Sequence, residues 1–135
     1  MLKINIITES NIELLETFIS NKMPNTFRYF NKRNIKVINN HIITLVLTIN
    51  NNVAGYAHLD KEDDKIWFGI CILEEYQGKG YGKILMNYIM DNCKYPEIFL
   101  SVDKNNDLAF NLYIKYGFMI ETIHDNYYIM RKIFN

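Results

Sequence analysis

Ile70-Cys71-Ile72-Leu73-Glu74-Glu75-Tyr76-Gln77-Gly78-Lys79-Gly80-Tyr81-Gly82-Lys83 carries an apolar run straight into a polar turn with three glycines at alternate positions. Ile84, Leu85, Tyr88 and Ile89 then recur at helical spacing, so the stretch reads as strand, glycine-rich loop and helix. Glycines remove side chains where a backbone must curl around a ligand, and the first amides of the following helix, unpaired within it, point at the same place. Such a turn makes an anion site. The partial positive charge of the helix end adds to the amide donors, and Lys79 and Lys83 can add charge at the rim. Two phosphate loops are excluded by spacing: Gly78-Lys79-Gly80-Tyr81-Gly82 does not fit G-x-G-x-x-G, and the Gly-Lys-Ser/Thr of a P-loop is absent.

Downstream, Ile98 to Val102 is a short apolar strand, Asp107 to Tyr116 an amphipathic helix, and Gly117 its natural stop. Phe118 to Ile123 and Tyr127 to Ile133, around His124-Asp125-Asn126, read as a closing hairpin. Upstream lie three β-rich runs, His41 to Ile49, Val53 to Leu59 and Lys65 to Leu73, predicted to form an antiparallel meander. Their connections are Asn50-Asn51-Asn52 and Lys61-Glu62-Asp63-Asp64, the latter a solvated hairpin turn without the spacing of a calcium loop. Before them, Leu2 to Thr8 reads as a strand. Ser10 with Glu13 has the form of a capping box, and Ile12, Leu15, Phe18 and Ile19 predict a helix ended by Pro24-Asn25. Asn25 to Lys36, with Phe27-Arg28-Tyr29-Phe30, Lys32 and Arg33, is predicted as a short second helix. The order is mixed α and β, with strands clustered in the middle and strand-helix alternation at the end.

At 135 residues the chain has the length of one domain, taken as 1–135, and 49% apolar against 22% charged residues marks it as globular. Fifteen basic and fifteen acidic residues cancel, which leaves no global field to hold nucleic acid or an anionic membrane. The N-terminus lacks the pattern of a signal peptide, and no run approaches the ~20 apolar residues of a membrane span, so a cytoplasmic location is expected. Cys71 and Cys93 stand far apart without His partners at metal spacing, and read as small apolar residues with no metal site.

Gln77-x-x-Gly80-x-Gly82 resembles the pyrophosphate loop of the GNAT acetyltransferase superfamily. A second stretch, Asn106-Asp107-Leu108-Ala109-Phe110-Asn111-Leu112-Tyr113-Ile114-Lys115-Tyr116-Gly117-Phe118, resembles that family's N-x-x-A-x-x-L-Y-x-x-x-G-F helix, in the right order and spacing. With the meander, the likeness covers nearly the whole chain and weakens before about Asn40. It implies an α/β fold whose central, mostly antiparallel sheet splays at an acetyl-CoA site and is flanked by helices. It implies acetyl-CoA as co-substrate, with no metal. The pyrophosphate would lie on Gln77, Gly78, Lys79, Gly80, Tyr81, Gly82 and Lys83, and the pantetheine arm along backbone of Ile70, Cys71 and Ile72. Asn106 would hold the pantetheine side, with the Tyr113 hydroxyl near the sulfur.

The resemblance further implies direct transfer in a ternary complex, with Tyr113 as general acid to the leaving thiolate. No titratable side chain stands in Ile66-Trp67-Phe68-Gly69, where many members carry a Glu or His, and Ser101 replaces the Glu of the ribosomal-protein acetyltransferases. His58 and Asp60 remain, on one strand face with Tyr56. His58 is either the base or a packed structural histidine, and Asp60 reads more as a turn residue. The acceptor is expected to be a small-molecule amine. Phe27, Arg28, Tyr29 and Phe30 could stack on a base and, with Arg33, pair a phosphate, which suits a nucleotide-linked amino sugar; this stretch is also similar to GNAT proteins of surface-polysaccharide synthesis. The alternatives are aromatics that pack the predicted helix on the sheet, a peptide N-terminal or polyamine acetyltransferase, and a non-catalytic acetyl-CoA-binding module. A homodimer is left open.

Overall fold

The computed structural model describes residues 1–135. Period-2 apolar runs form seven strands: β1 (Leu2–Ile6), β2 (His41–Ile49), β3 (Asn52–Glu62), β4 (Lys65–Ile72), β5 (Glu97–Asp103), β6 (Met119–Ile123) and β7 (Tyr127–Ile133). They make one mixed sheet in the order β1-β2-β3-β4-β5-β7-β6. Only β4 and β5 run parallel; every other neighbouring pair is antiparallel. The hairpins β2-β3 and β3-β4 turn on Asn50-Asn51 and Asp63-Asp64, all four with positive φ, as tight turns with two left-handed residues require.

Three helices cover the sheet: α1 (Ile12–Ile19), α2 (Tyr81–Asn92) and α3 (Asp107–Lys115). Leu85, Met86 and Ile89 of α2, with Tyr113 of α3, bury against Leu45, Leu47, Ala57, Leu59, Phe68 and Leu100 to make the larger core. Leu15 and Phe18 of α1 pack on the other face against Val46, Tyr56 and Cys71. Each large apolar side chain so withdrawn from water contributes about 1.5–3 kcal/mol, so both faces of the sheet are anchored.

Two local expectations are corrected. The box at the start of α1 lies two residues earlier than Ser10 and Glu13: the Thr8 hydroxyl accepts from Ser10 N at 3.3 Å, while Thr8 N donates to Asn11 Oδ1 at 2.7 Å. Asn25 to Lys36 is not a helix. It runs as isolated turns into a 3₁₀ segment, Ile35–Asn40, started by the Asn34 side chain accepting from Lys36 N. From these turns Phe27 and Phe30 both reach the Tyr56 ring, with centroids 5.6 and 5.4 Å away.

The sheet opens on one side of β4. Toward β3 the ladder is continuous from Glu62↔Lys65 to Gly55↔Ile72. Toward β5 there is one pair, Trp67↔Phe99, after which the strands diverge. The splay expected at the family's cofactor site is therefore present.

Candidate active site

A cavity of about 850 Å³ occupies the divergence, walled by β4, the loop after it, the start of α3 and the segment from Pro24 to Arg33. Ile70, Cys71 and Ile72 lie along β4 beyond the last β5 pair, so their edge toward β5 has no strand partner. Gln77 fastens the loop to the end of that strand, its Nε2 donating to Ile72 O at 3.0 Å.

In the loop, Gly78 and Gly80 have φ of 77° and 85°, the left-handed region that side chains resist, and a Cβ built on either meets nothing within 4 Å. Backbone need explains these glycines, and the space beside them is open. Gly82 leaves similar room, its nearest neighbour being Ile72 Cγ1 at 3.8 Å. Helix α2 starts at Tyr81 without a side-chain cap, which leaves its first amides free to bind an anion. The loop therefore fits a phosphate-bearing group. Lys79 and Lys83 are exposed and stand outside the cavity lining, at the rim.

Asn106 caps α3, its side-chain oxygen accepting from Ala109 N at 3.4 Å, and lines the cavity. Tyr113, about two turns along the same helix, is buried against Phe68 and Phe118 with centroids 6.5 and 5.8 Å away. Burial, and secondarily the neighbouring Cys71 thiol, raises its phenol far above the ordinary tyrosine value. It stays a proton donor at every physiological pH. Burial also pushes Cys71 up to about 12, so that group is a neutral thiol and not a nucleophile.

Across β4 a polar cluster lies on the α1 face of the sheet. His58 is 2% exposed and shares a 2.7 Å hydrogen bond from Nδ1 to the Tyr56 hydroxyl. Its ring lies over Gly69, where an added Cβ would sit 2.4 Å from Cε1, so glycine at 69 makes room for the imidazole. Stacked beside it at 4.5 Å is His41, whose Nδ1 meets Thr44 Oγ1 and whose Nε2 meets the Tyr29 hydroxyl, at 2.8 and 2.7 Å. That hydroxyl also donates to Asp60 Oδ2 at 3.1 Å. Burial lowers both histidines, His41 to about 4 and His58 well below the ordinary imidazole value, and both are neutral at pH 7. Ligand atoms of His41, His58 and Asp60 lie within 4.8 Å of one another, but both His41 nitrogens are already hydrogen-bonded within the protein.

The four residues expected to bind the acceptor are placed differently from one another. Phe27, Arg28 and Tyr29 line the cavity and Phe30 does not; Phe27 and Phe30 also pack on Tyr56, which leaves little of their rings for a nucleotide base. Arg28 is also engaged: its guanidinium forms a two-pronged pair with Asp103, Nη1 to Oδ2 at 2.9 Å and Nη2 to Oδ1 at 2.8 Å. That bond holds the Asp103 carboxyl below its usual range and ties the irregular segment to the end of β5. Tyr29 lines the cavity, and the Arg33 guanidinium lies 4.3 Å above its ring.

Sequence reasoning overlooked His41, Asp103 and Gly69. Strict alternation from Thr44 places His41 on the opposite face. A bulge between His41 and Ile43 shifts the register, so that His41↔Asp60 and Thr44↔His58 share one face. No residue pattern in β2 announces it. Gly69 was open to reading, as a glycine inside an apolar strand signals close approach of another group.

An opened parallel strand pair, feeding a left-handed glycine turn at an uncapped helix and sharing one cavity with a buried tyrosine, defines the class of mixed α/β protein whose sheet parts beside an anion-competent turn. The chain belongs to the acetyltransferase (GNAT) family, whose model matches residues 9–118. It is 36% identical over 90 residues to the ribosomal protein bS18-alanine N-acetyltransferase of Haemophilus influenzae, covering 64% of this chain and 61% of that protein. It is 34% identical over 64 residues to the spermine/spermidine N(1)-acetyltransferase of Bacillus subtilis, covering 44% and 42%. The chain thus spans less than two thirds of these relatives. Among solved structures, an acetyltransferase of the GNAT family from Streptococcus pneumoniae superposes with a TM-score of 0.79 at 20% identity, both chains covered in full. The PaiA N-acetyltransferase of Thermoplasma acidophilum, solved with coenzyme A, does so with 0.75 at 21% identity, 99% of each covered. These likenesses show the fold. No helix is long and apolar enough to cross a membrane.

Proposed function

We propose that this protein is an acetyl-CoA-dependent N-acetyltransferase acting on a primary amine. The observation that carries the reading is the coincidence, in one cavity, of the β4-β5 break, the uncapped glycine turn of α2 and the Tyr113 phenol. The coenzyme A of the Thermoplasma neighbour and the activities of the sequence relatives support it. Loop amides from Gly78 to Gly82, with Lys79 and Lys83 at the rim, hold the pyrophosphate; Asn106 and the open edge of Ile70, Cys71 and Ile72 hold the pantetheine arm. Bound acetyl-CoA supplies an activated thioester carbonyl.

This chain's own residues supply the rest. The acceptor nitrogen must lose a proton before it forms the new N–C bond, and neutral His58, directly or through water, takes it. As the C–S bond breaks, the Tyr113 hydroxyl gives its proton to the departing sulfur. Burial keeps the phenol protonated and, by raising its value, makes it a reluctant donor, so the transfer depends on the negative charge that forms on the sulfur beside it. For the acceptor, a nucleotide-linked amino sugar loses its support once Phe27, Phe30 and Arg28 are engaged within the fold. The relatives named for ribosomal-protein and polyamine substrates favour a plain amine instead.

The deciding test pairs binding with turnover. Calorimetry should show saturable acetyl-CoA binding that Gly80→Asp weakens by at least about tenfold, because a side chain and a negative charge enter the anion turn. Thiol release from acetyl-CoA should appear with at least one of a short peptide, spermidine and an amino-sugar nucleotide. Tight binding with no release for any amine would make the protein a binding module.

A further inference from the structure

Asp60 is 6% exposed, and only one of its carboxylate oxygens is answered. The Tyr29 hydroxyl donates to Oδ2 at 3.1 Å, so the hydrogen in its 2.7 Å contact with His41 Nε2 comes from the imidazole, and the Thr44 hydroxyl supplies the one on His41 Nδ1. Thr44, His41 and Tyr29 thus form a one-way brace that ends on Oδ2 and fixes the carboxylate. Oδ1 faces His58 Nε2 at 3.7 Å, too far for a hydrogen bond. A buried carboxylate oxygen left so is costly unless something comes to meet it. The gap fits a neutral His58 ring whose hydrogen sits on Nδ1, given to the Tyr56 oxygen at 2.7 Å, so that two lone pairs face each other with nothing between them. A hydrogen on Nε2 would draw the pair to roughly 2.8 Å, about 1 Å closer.

His58 and Asp60 both line the cavity that holds Tyr113, so an ammonium arriving there can direct an N–H into the gap. We propose that His58 and Asp60 take the acceptor's proton as a pair. The amine N–H bond breaks and its electron pair stays on the nitrogen that will attack; the new N–H bond forms at His58 Nε2, and Asp60 Oδ1 closes on the imidazolium. Asp60 is thereby the positioning residue of the base, braced for it by Tyr29 and His41. The proposal rests on the acetyltransferase reading and supplies the base with a partner. Charge favours the step: the buried pair carries one net negative charge before it and none after it, which relieves the desolvation that penalises a lone carboxylate. Burial pulls His58 down and pushes Asp60 up, which brings their proton affinities together and lets one proton be shared between them. The other groups facing the pair are His41 from β2, Tyr29 and Arg33 from the segment before it, and Tyr56 and Glu62 from β3 itself; β4 presents Gly69 and Trp67, which do not titrate. Arg33, the one cation among them, opposes proton uptake, and its guanidinium lies over the Tyr29 ring.

The test takes whichever of a short peptide, spermidine and an amino-sugar nucleotide supports thiol release, and follows kcat and KM from about pH 6.5 to about pH 10. Asp60→Asn keeps the shape and the Tyr29 contact. It should lower kcat at least about tenfold at the acid end, and the loss should shrink to within about threefold at the alkaline end, where the amine increasingly arrives without its extra proton and needs no base. Acetyl-CoA affinity should not move. Tyr29→Phe, which frees Oδ2 but keeps the ring, should give the same pH form with a loss of about threefold to tenfold, and serves if Asp60→Asn does not fold. In the free protein the ¹⁵N shifts of His58 should place its hydrogen on Nδ1. A hydrogen on Nε2 would leave that nitrogen no lone pair to give, a loss equal at every pH would make Asp60 structural, and a loss confined to KM would make it an ammonium anchor. Each of these overturns the pair while acetyl transfer stands. No thiol release with any amine would remove the acetyltransferase reading and the pair with it.

Discussion

The two sides of β4 behave oppositely. Toward β3 every rung from Lys65 to Ile72 is paired, and the side chains facing that ladder, Tyr56, His58 and Asp60, are locked into a hydrogen-bonded cluster. Toward β5 a single rung, Trp67↔Phe99, is followed by open backbone and a glycine turn with nothing packed against it. On the proposed function, the difference separates a carrier side from an acceptor side. The carrier side offers main-chain groups and free amides, which any phosphorylated pantetheine arm can use. The proposed acceptor side offers buried side chains, neutral His58 among them, in fixed positions.

If that division holds, Tyr113→Phe should produce the largest effect, because it removes the proposed proton donor without changing the ring that packs on Phe68 and Phe118. Turnover should fall about 10²- to 10⁴-fold while acetyl-CoA affinity and thermal midpoint stay near wild type. Wild-type turnover, under conditions where chemistry limits the rate, would leave Tyr113 as packing alone.

Gly69→Ala probes the closed side without replacing an ionisable group. Its Cβ would fall 2.4 Å from His58 Cε1, so the imidazole must leave its place against Tyr56 or the strand must shift. Turnover should drop by about 10- to 10²-fold from misplacement of the base, with a stability loss of about 1–3 kcal/mol. Survival of acetyl-CoA affinity would sharpen the contrast between the two sides, since β4 presents its open edge to the carrier. Retained activity at full strength would return His58 to a structural role.

The smallest effect concerns pH. Burial disfavours the charged forms of both histidines, pushing His41 down to about 4 and His58 well below its ordinary value, against about 6.5 when unfolded. Above pH 6.5 neither state binds these protons and they contribute nothing to the slope. As pH falls from about 6.5 toward 4, the unfolded chain takes up protons the fold refuses, and stability declines through that window. Below it, protonation of Asp103, held low by Arg28, removes a further increment. Urea midpoints measured between pH 7.5 and 4.5 should follow this fall, and His41→Gln should flatten it. A flat wild-type profile would mean that the cluster is charged or open to water.

Most of the carrier side is legible in the sequence. The Gln77 to Lys83 turn, the helix after it and the Asn106 to Phe118 stretch are local patterns, and local backbone preference makes them: glycines take left-handed φ, an uncapped helix exposes its amides, and Asn106 caps the next helix. The β meander is equally plain, since Asn50-Asn51 and Asp63-Asp64 are turn residues that set the hairpins. The helix expected over Asn25 to Lys36 does not form; its aromatics meet the Tyr56 ring from isolated turns, a long-range contact that no local pattern records.

By itself, then, the chain of residues determined the strands, the glycine turn, the two motif helices and the family they define, all of which follow from interactions within a dozen neighbours. Tertiary structure alone decided which side chains meet at the acceptor side. A one-residue bulge in β2 swung His41 onto the face of Asp60, a pair between Arg28 and Asp103 closed a gap of 75 positions, and Gly69 made room for His58. Those outcomes depend on register and long-range packing, where a shift of one residue turns every side chain to the other face and no local preference records which register is taken.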